Sequence, residues 1–481
     1  MINKFLLREE YFGSLLYDRE KKKQEILNRW QSKALQLAGS MSFAELVKFL
    51  QNNDLTAKNY DRGMDEPIVK SMNNKLPSSQ DLEGFIDTKT KQGVLVDGKL
   101  CADSKEIKRK LRYPMLSAPI GSFIEITNVC NMACKHCYNA GDRQKDDAHE
   151  SLLTDEQIFR FFDQAYESGL FYMKLQGGET TLHPHWKEIA RKSIDCGMAT
   201  TLYTGGYYRG REHVLEEIVN IPFSEIRITF AGLSNLHDVL RPAKPVISGL
   251  GKPTYQEINK TLDYLLSRKA NVKLNFVLGR DTMPQIEEFV RIMAKKSKHY
   301  EKPLDINFGP QRPFGEGFIC PGDPNGRNML DAQDFYRTNE LIEKLRNSPE
   351  IQDARMNLVV VFDILSKKRD YNQVPRDLQR DGCSLGKRGF SVTYRGDISV
   401  CGFMASCGIL PSGGNITEKS IEELWFESSL LNQTRLYEKE QCVGCEYYTK
   451  QCQGMCPAIA YYTSKSLKNG DPGCFKHLLP R

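Results

Sequence analysis

The sequence predicts an α/β protein built on a parallel sheet, open or partly closed into a barrel, with a smaller module before it and a cysteine-rich region after it. Three observations predict this. From Ser122 onward, short apolar runs alternate with helical periodicity in six units. Residues 1–100 carry a hairpin pattern followed by helices of their own. From Cys383 onward, cysteine and glycine dominate.

In the first region, Phe5-Leu6-Leu7 and Ser14-Leu15-Leu16-Tyr17 are apolar runs of strand length. Residues 18–23 form a polar turn, and Glu25-Ile26-Leu27 is the return strand. Ser42 caps a helix carrying Leu46, Val47 and Leu50, with Glu45 completing a capping box. A further helix includes Leu82 and Phe85, and Val94 and Leu95 follow it. Residues 105–114 are charged and read as a linker. Strands are then predicted at 123–127, 171–175, 200–204, 225–230, 272–278 and 304–308. Helices are predicted near 185–196, 211–220, 255–268 and 285–298, and one from Thr154, where Gln157 completes a second capping box. Alternation is expected to stop after Phe308, leaving a bridging helix over 332–346. In parallel sheets of this kind ligands bind at the carboxyl ends of the strands.

A length of 481 residues suggests two to four domains, and 40% hydrophobic content supplies buried cores. No stretch is apolar enough to cross a bilayer, so no membrane partner is expected. Met1 to Glu10 has charges where a secretory signal needs an apolar run, which points to the cytoplasm. Fourteen cysteines in a reducing compartment call for metal or redox chemistry rather than disulfides. The net charge of +6 is modest. Basic runs at 21–23 and 105–112 read as solvated faces or linker, or as contacts for an acidic partner; no nucleic-acid partner is expected.

The strongest motif is Cys130-x3-Cys134-x2-Cys137, directly after the first strand of the alternating region. Three thiolates hold three irons of a cubane cluster and leave the fourth iron open to a small ligand. A structural zinc wants four closed ligands, and His136 is awkwardly placed to complete such a set. The loop resembles that of radical S-adenosylmethionine (SAM) enzymes. The resemblance implies a partial (β/α)6 barrel, a SAM-binding 4Fe–4S cluster, and reductive cleavage of SAM to a 5′-deoxyadenosyl radical that abstracts hydrogen from substrate. The protein's part is to place the target C–H and exclude water.

Other segments fit the same resemblance. Gly177-Gly178-Glu179 follows the second strand and is similar to the family's GGE motif, which binds the SAM amine; read alone it is also a plain Gly-Gly turn. Thr204-Gly205-Gly206 ends the third strand, and Thr229 ends the fourth, as the hydroxyl expected near ribose or carboxylate. His237-Asp238-x2-Arg241 resembles a pattern whose arginine contacts the SAM carboxylate, a task that suits a bidentate guanidinium.

The second cysteine set is Cys383 and Cys401, then Cys442, Cys445, Cys452, Cys456 and Cys474. It resembles the SPASM domain, which carries two auxiliary 4Fe–4S clusters; the alternative is a pair of zinc ribbons. The resemblance assigns Cys442, Cys445, Cys452 and Cys474 to the distal cluster, and Cys383, Cys401 and Cys456 to the proximal one, three 4Fe–4S clusters in all. Arg380-Asp381-Gly382 offers no fourth cysteine to the proximal cluster, leaving an open iron, Cys407 or an aspartate. Cys320 and Cys407 read as hydrogen donors to a substrate radical or as ordinary thiols, Cys101 and Cys196 as ordinary thiols.

Residues 1–100, opening on Arg8-Glu9-Glu10-Tyr11-Phe12-Gly13, resemble a PqqD-like RiPP recognition element, a winged-helix-like module that binds the leaders of ribosomally made peptides. The division expected is therefore recognition element 1–100, radical SAM barrel 116–320, bridging segment 321–376 and SPASM domain 377–481. It implies an enzyme that crosslinks, epimerises or excises part of a precursor peptide, served by an electron donor such as flavodoxin or ferredoxin. The rivals are a sulfatase-maturing-type oxidase, a small-molecule radical SAM oxidoreductase, and a peptide-binding iron–sulfur scaffold without activity. Sulfatase-maturing enzymes have an aspartate directly after the second SPASM cysteine, where this chain has Gly402. No residue stands out as the catalytic base.

Overall fold

The structure, a computed structural model, describes residues 2–73, 75–111, 113–139, 152–244, 253–311, 328–361, 375, 378, 383, 386–406, 412–436, 440–448, 452 and 454–479. Cys320, Cys407 and residues 380–382 lie outside the described residues.

Strands β1 (Phe5–Glu10), β2 (Gly13–Asp18) and β3 (Lys23–Asn28) form an antiparallel meander. Helices α1 (Arg29–Leu37), α2 (Phe43–Asn52), α3 (Pro67–Asn73) and α4 (Ser79–Lys91) follow. The Ser42–Glu45 capping box starts α2 as the sequence predicts. A small hairpin, β4 (Leu95–Val96) and β5 (Lys99–Leu100), leads to β6 (Ala102–Lys105). Strand β6 pairs parallel with β1, so the sheet order is β3-β2-β1-β6 and β3 is an edge.

The charged stretch 105–114, expected to be a linker, is anchored. Ile107 and Leu111 are buried, Asn59 O accepts from Leu111 N, and Arg109 pairs with Glu422 and Glu427 at 2.8 and 2.6 Å. Two apolar residues four apart hold the segment down while its charges face out.

The main sheet is parallel from β13 through β14. Its strands are β7 (Gly121–Thr127), β8 (Tyr172–Gly177), β9 (Ala199–Thr204), β10 (Glu225–Phe230), β11 (Val272–Leu278), β12 (Asp305–Pro310), β13 (Asn357–Val360), β14 (Gly389–Val392) and β15 (Ile398–Ser399). The order is β13-β12-β11-β10-β9-β8-β7-β14-β15, with β15 antiparallel at one end. The crossovers carry α5 (Asp155–Glu167), α6 (Trp186–Asp195), α7 (His213–Val219), α8 (Ser234–Leu240), α9 (Tyr255–Ser267), α10 (Ile286–His299), α11 (Ala332–Arg346) and α12 (Pro349–Asp353). Alternation does not stop at Phe308. Helices α11 and α12 lead to β13, which pairs parallel with β12, and β14 adds to the far side of β7. The bridging helix is thus another crossover. Four-residue strands such as Asn357–Val360 are too short for periodicity to reveal, and pairing with a formed edge makes them strands.

Helices α13 (Gly402–Ser406), α14 (Ile421–Glu427), α15 (Ser429–Leu436) and α16 (Pro457–Ser464) complete the described chain. One buried core includes Tyr11 and Tyr17 of the N-terminal region, the sheet residues, and Trp425 and Ile459 of the C-terminal region. The N-terminal sheet packs where the main strands begin. Buried Arg8 donates to Pro119 O and Gly169 O, and Glu10 accepts from Ser117 N. Tyr17 stacks on Phe171, ring centroids 4.6 Å apart. The carboxyl ends of the main strands are left for the site.

Candidate active site

Thr127 ends β7, and the three-cysteine loop begins three residues later. Two neighbours clamp that loop. On one side Gly178 N donates to Thr127 O (2.8 Å) and Glu179 N to Val129 O (2.7 Å). A Cβ on Gly178 would lie 2.0 Å from Val129 O, and one on Gly177, at φ +153°, 2.2 Å from Thr127 O. The glycine pair is therefore required by backbone approach, not only by a turn. On the other side Ala133 N and Lys135 N donate to Pro242 O and Leu240 O, and Met132 bridges to Ala243. Asn131 reaches Tyr207 O, and Asn139, two residues past Cys137, donates to buried Glu125 at 2.8 Å.

Glu179 is buried, and its carboxylate accepts from the hydroxyls of Thr181 (2.8 Å) and Thr204 (2.9 Å) and from Gly205 N (2.7 Å). Thr204, expected at a cofactor, thus spends its hydroxyl proton on Glu179. Arg241 is 3% exposed, and only its Nη2 has partners, Gly205 O and Met132 Sδ. Its Nε and Nη1 are buried without a hydrogen-bond partner. Gly205 sits in close quarters: a Cβ there would lie 2.8 Å from Met132 Sδ, 3.4 Å from Glu179 Oε2 and 3.5 Å from Arg241 Nη2. A carboxylate acceptor and a guanidinium with unpaired N–H groups therefore flank Gly205, an arrangement complementary to the ammonium and carboxylate of an amino acid.

Gly178, Thr204, Gly205 and Arg241 open on one cavity of about 460 Å³, with Glu179 directly behind its wall; the size suits a cofactor with part of a substrate. Cys130, Cys134 and Cys137 line it with Gly177, Gly178, Thr204, Gly205, Thr229 and Arg241. The wall formed by β8, β11 and β12 is amide-rich, with Gln176, Asn275, Asn307 and Gln311. Cys401, Gly402 and Phe403 complete it from the C-terminal region, facing Tyr138 of the cysteine loop.

The C-terminal cysteines gather in two places. Cys442, Cys445, Cys452 and Cys474 line a second cavity of about 240 Å³. Cys401 interacts electrostatically with Cys383 and Cys456. Burial, then those two thiols, push Cys401 well above the ordinary thiol range; burial pushes Cys452 up to about 11. Such thiols are poor nucleophiles, and a bound metal offsets the cost of ionising them.

Among the described residues, no three His, Cys, Asp or Glu side chains converge on a point that would hold one ion. A cubane cluster is larger than an ion and wants its thiolates spread around it, as around these two cavities. The unpaired N–H groups of Arg241 and the cavity's size fit a cofactor carrying a carboxylate. Sequence reasoning missed Tyr138, Asn139, Glu125 and Tyr208. Of these only Tyr138 carried a signal, its place directly after Cys137.

Residues 124–293 match the Radical SAM superfamily model, and residues 383–453 match the SPASM iron–sulfur cluster-binding domain. The chain is 23% identical over 364 residues to the mycofactocin maturase MftC of Mycobacterium tuberculosis, covering 75% of this chain and 83% of that protein. It is 22% identical over 366 residues to the PqqA peptide cyclase of Rhizobium meliloti, covering 76% and 88%. The fold is similar to that of Streptococcus suis SuiB, solved bound to S-adenosylmethionine and also to its precursor peptide SuiA. The SAM-bound structure has TM-score 0.65 and 16% identity and covers 98% of both chains. The cofactors these matches indicate are SAM and a 4Fe–4S cluster. With its cysteine loop, Glu179 and Arg241 converging at the carboxyl ends of the strands, this chain is a radical SAM enzyme that carries a SPASM domain.

Proposed function

We propose that the protein modifies a ribosomally made precursor peptide by radical SAM chemistry. The observation that carries this reading is the single cavity shared by the three-cysteine loop, Arg241 and Cys401, in a chain similar to two peptide-modifying relatives. Cys130, Cys134 and Cys137 hold the SAM-binding cluster. Gly177, Gly178 and Glu179 would take the SAM amine and Arg241 its carboxylate, with Thr229 on the cavity wall to meet ribose or carboxylate; Thr204 holds Glu179. SAM bound there supplies the 5′-deoxyadenosyl group that removes hydrogen from substrate. The amide-rich wall of Gln176, Asn275, Asn307 and Gln311 offers donors and acceptors to a peptide backbone.

Two auxiliary clusters complete the set, on Cys383, Cys401 and Cys456 and on Cys442, Cys445, Cys452 and Cys474. Cys401 puts the first of them on the cavity wall. Residues 1–100 act as the leader-binding module. Supporting this, edge strand β3 borders a cleft of about 420 Å³ lined by Ile26, Trp30, Met72 and Leu76, suited to strand addition with apolar anchors. A low-potential donor such as flavodoxin or ferredoxin supplies electrons, and the reducing cytoplasm suits so many thiols. Among the described residues no helix is long and apolar enough to cross a membrane.

The sulfatase-maturing alternative is disfavoured by Gly402, which stands where that family has its aspartate and whose Cβ position, 3.3 Å from the Tyr138 ring, is crowded. The test is anaerobic turnover of a short peptide encoded beside the gene, with SAM and reductant, read by mass spectrometry. A crosslink lowers the peptide mass by the hydrogens removed; deoxyadenosine without any change in peptide mass or stereochemistry would sink the reading. Loss of residues 1–100 should weaken leader binding.

A further inference from the structure

Tyr208 lies four residues past Thr204, behind the cavity wall, and is 2% exposed. Its hydroxyl is 2.7 Å from Thr204 Oγ1. Thr204 and Thr181 each give their single hydroxyl proton to Glu179, at 2.9 and 2.8 Å. A threonine hydroxyl has one proton, so Tyr208 can only be the donor in its contact with Thr204. Thr204 Oγ1 accepts in addition from Gly206 N at 3.0 Å. Proton order therefore runs one way, from Tyr208 to Thr204 to the carboxylate, with Thr181 donating to Glu179 on its own. Burial and the Glu179 charge push the Tyr208 hydroxyl well above its ordinary value, so it stays a donor.

Two consequences follow from this order. Glu179 is fixed as an acceptor, with its Oε2 held against Gly205 N. Its orientation also depends on Tyr208, whose ring packs behind Thr204 and does not line the cavity. We propose that Tyr208 is a positioning residue for the SAM site, holding Glu179 through Thr204 so that its carboxylate meets the SAM amine. This rests on the reading that Gly177 to Glu179 face SAM.

The test uses the reconstituted full chain under anaerobic conditions. SAM affinity is read by equilibrium dialysis, and SAM placement by the change that added SAM makes in the electron paramagnetic resonance signal of the reduced cluster. Tyr208→Phe keeps the ring and removes the donor. It should weaken SAM binding by about 3- to 10-fold, the usual range for one buried hydrogen bond, and alter the SAM-bound signal. Thr204→Val should do the same, Thr204→Ser should restore binding, and the Tyr208→Phe/Thr204→Val pair should fall short of the product of the singles because they share one chain of bonds. Glu179→Ala separates the two ideas. If it leaves SAM affinity unchanged, the SAM-site reading itself fails. If it abolishes binding while Tyr208→Phe lowers only thermal stability, leaving affinity and signal as in the parent, the positioning role is overturned.

Discussion

Tyr138 packs against Phe403, ring centroids 4.9 Å apart and tilted by 59°. One residue directly follows Cys137 of the N-terminal cysteine loop, and the other stands two residues after Cys401 of the C-terminal set. The pair fixes the distance between two cysteine groups more than 260 residues apart in sequence. Gly402 makes the contact possible, since a Cβ there would be 3.3 Å from both Cε2 and the hydroxyl of Tyr138. Gly402→Ala should therefore cost about 1 kcal/mol of stability by overpacking, and Gly402→Asp more. Anaerobic denaturation of both variants checks this; an aspartate accepted without loss would reopen the sulfatase-maturing reading.

Gly178 makes a harsher demand. Its Cβ would meet Val129 O at 2.0 Å and Val129 C at 2.4 Å, both backbone atoms that cannot rotate away. Gly178→Ala should displace the three-cysteine loop and abolish the SAM-responsive cluster while sparing the C-terminal ones. Iron content and paramagnetic resonance before and after SAM addition measure it. Gly210→Ala is the control. It has nothing within 4 Å and carries only the strain of φ +76°, about 1–2 kcal/mol, so its clusters should be intact.

Much of this was legible in the sequence, for physical reasons. Cysteine spacing is local, so the loop at Cys130 declares itself without a fold. Capping boxes at Ser42 and Thr154 are four-residue signals and are both present. Less legible were features created by long-range pairing. Strand β13 exists because β12 offers an edge, and the charged 105–114 stretch is held by Glu422 and Glu427, more than 300 residues away. The bond from the Thr204 hydroxyl to Glu179 was not legible, because sequence shows a strand end and not the carboxylate beside it.

Arg241 should respond to substitution in proportion to the hydrogen bonds lost. Among the described residues its Nε and Nη1 have no hydrogen-bond partner, so a SAM carboxylate would supply their acceptors. Arg241→Ala should weaken SAM binding by about 10- to 100-fold, the range for charged hydrogen bonds. Arg241→Lys should recover only part, because an ammonium cannot reproduce the planar fork. Equal affinity for the lysine variant and the parent would show that charge alone is read there.

The cysteine sets predict separable losses of iron. Replacing Cys130, Cys134 and Cys137 together with alanine should remove about four irons per chain and all SAM cleavage. Replacing Cys442, Cys445, Cys452 and Cys474 should remove about four others and leave SAM cleavage to deoxyadenosine detectable. Loss of all iron from the second variant would mean that those cysteines support the whole fold rather than one cluster.

Lys174 sits on the cavity-facing side of β8, two residues before Gln176, with its ammonium 4.2 Å from the centre of the Phe123 ring. Burial lowers its pKa to about 7; Arg227, Arg388 and Lys273 add to this, and Glu225 opposes it. In the unfolded chain a lysine titrates near ~10.4. Between those values the unfolded state binds more protons than the folded one, so this group makes stability rise with pH from about 7 to about 10.4. Below pH 7 its full penalty is present. Lys174→Met removes the titration. It should raise stability at pH 7, and the gain should shrink as pH rises toward 10, where the lysine is neutral in both states. Anaerobic urea unfolding of parent and variant at pH 7 and pH 9.5 measures the two gains. A gain that is the same at both pH values would show that Lys174 is charged in the folded protein throughout, with an anion supplied to it inside the barrel.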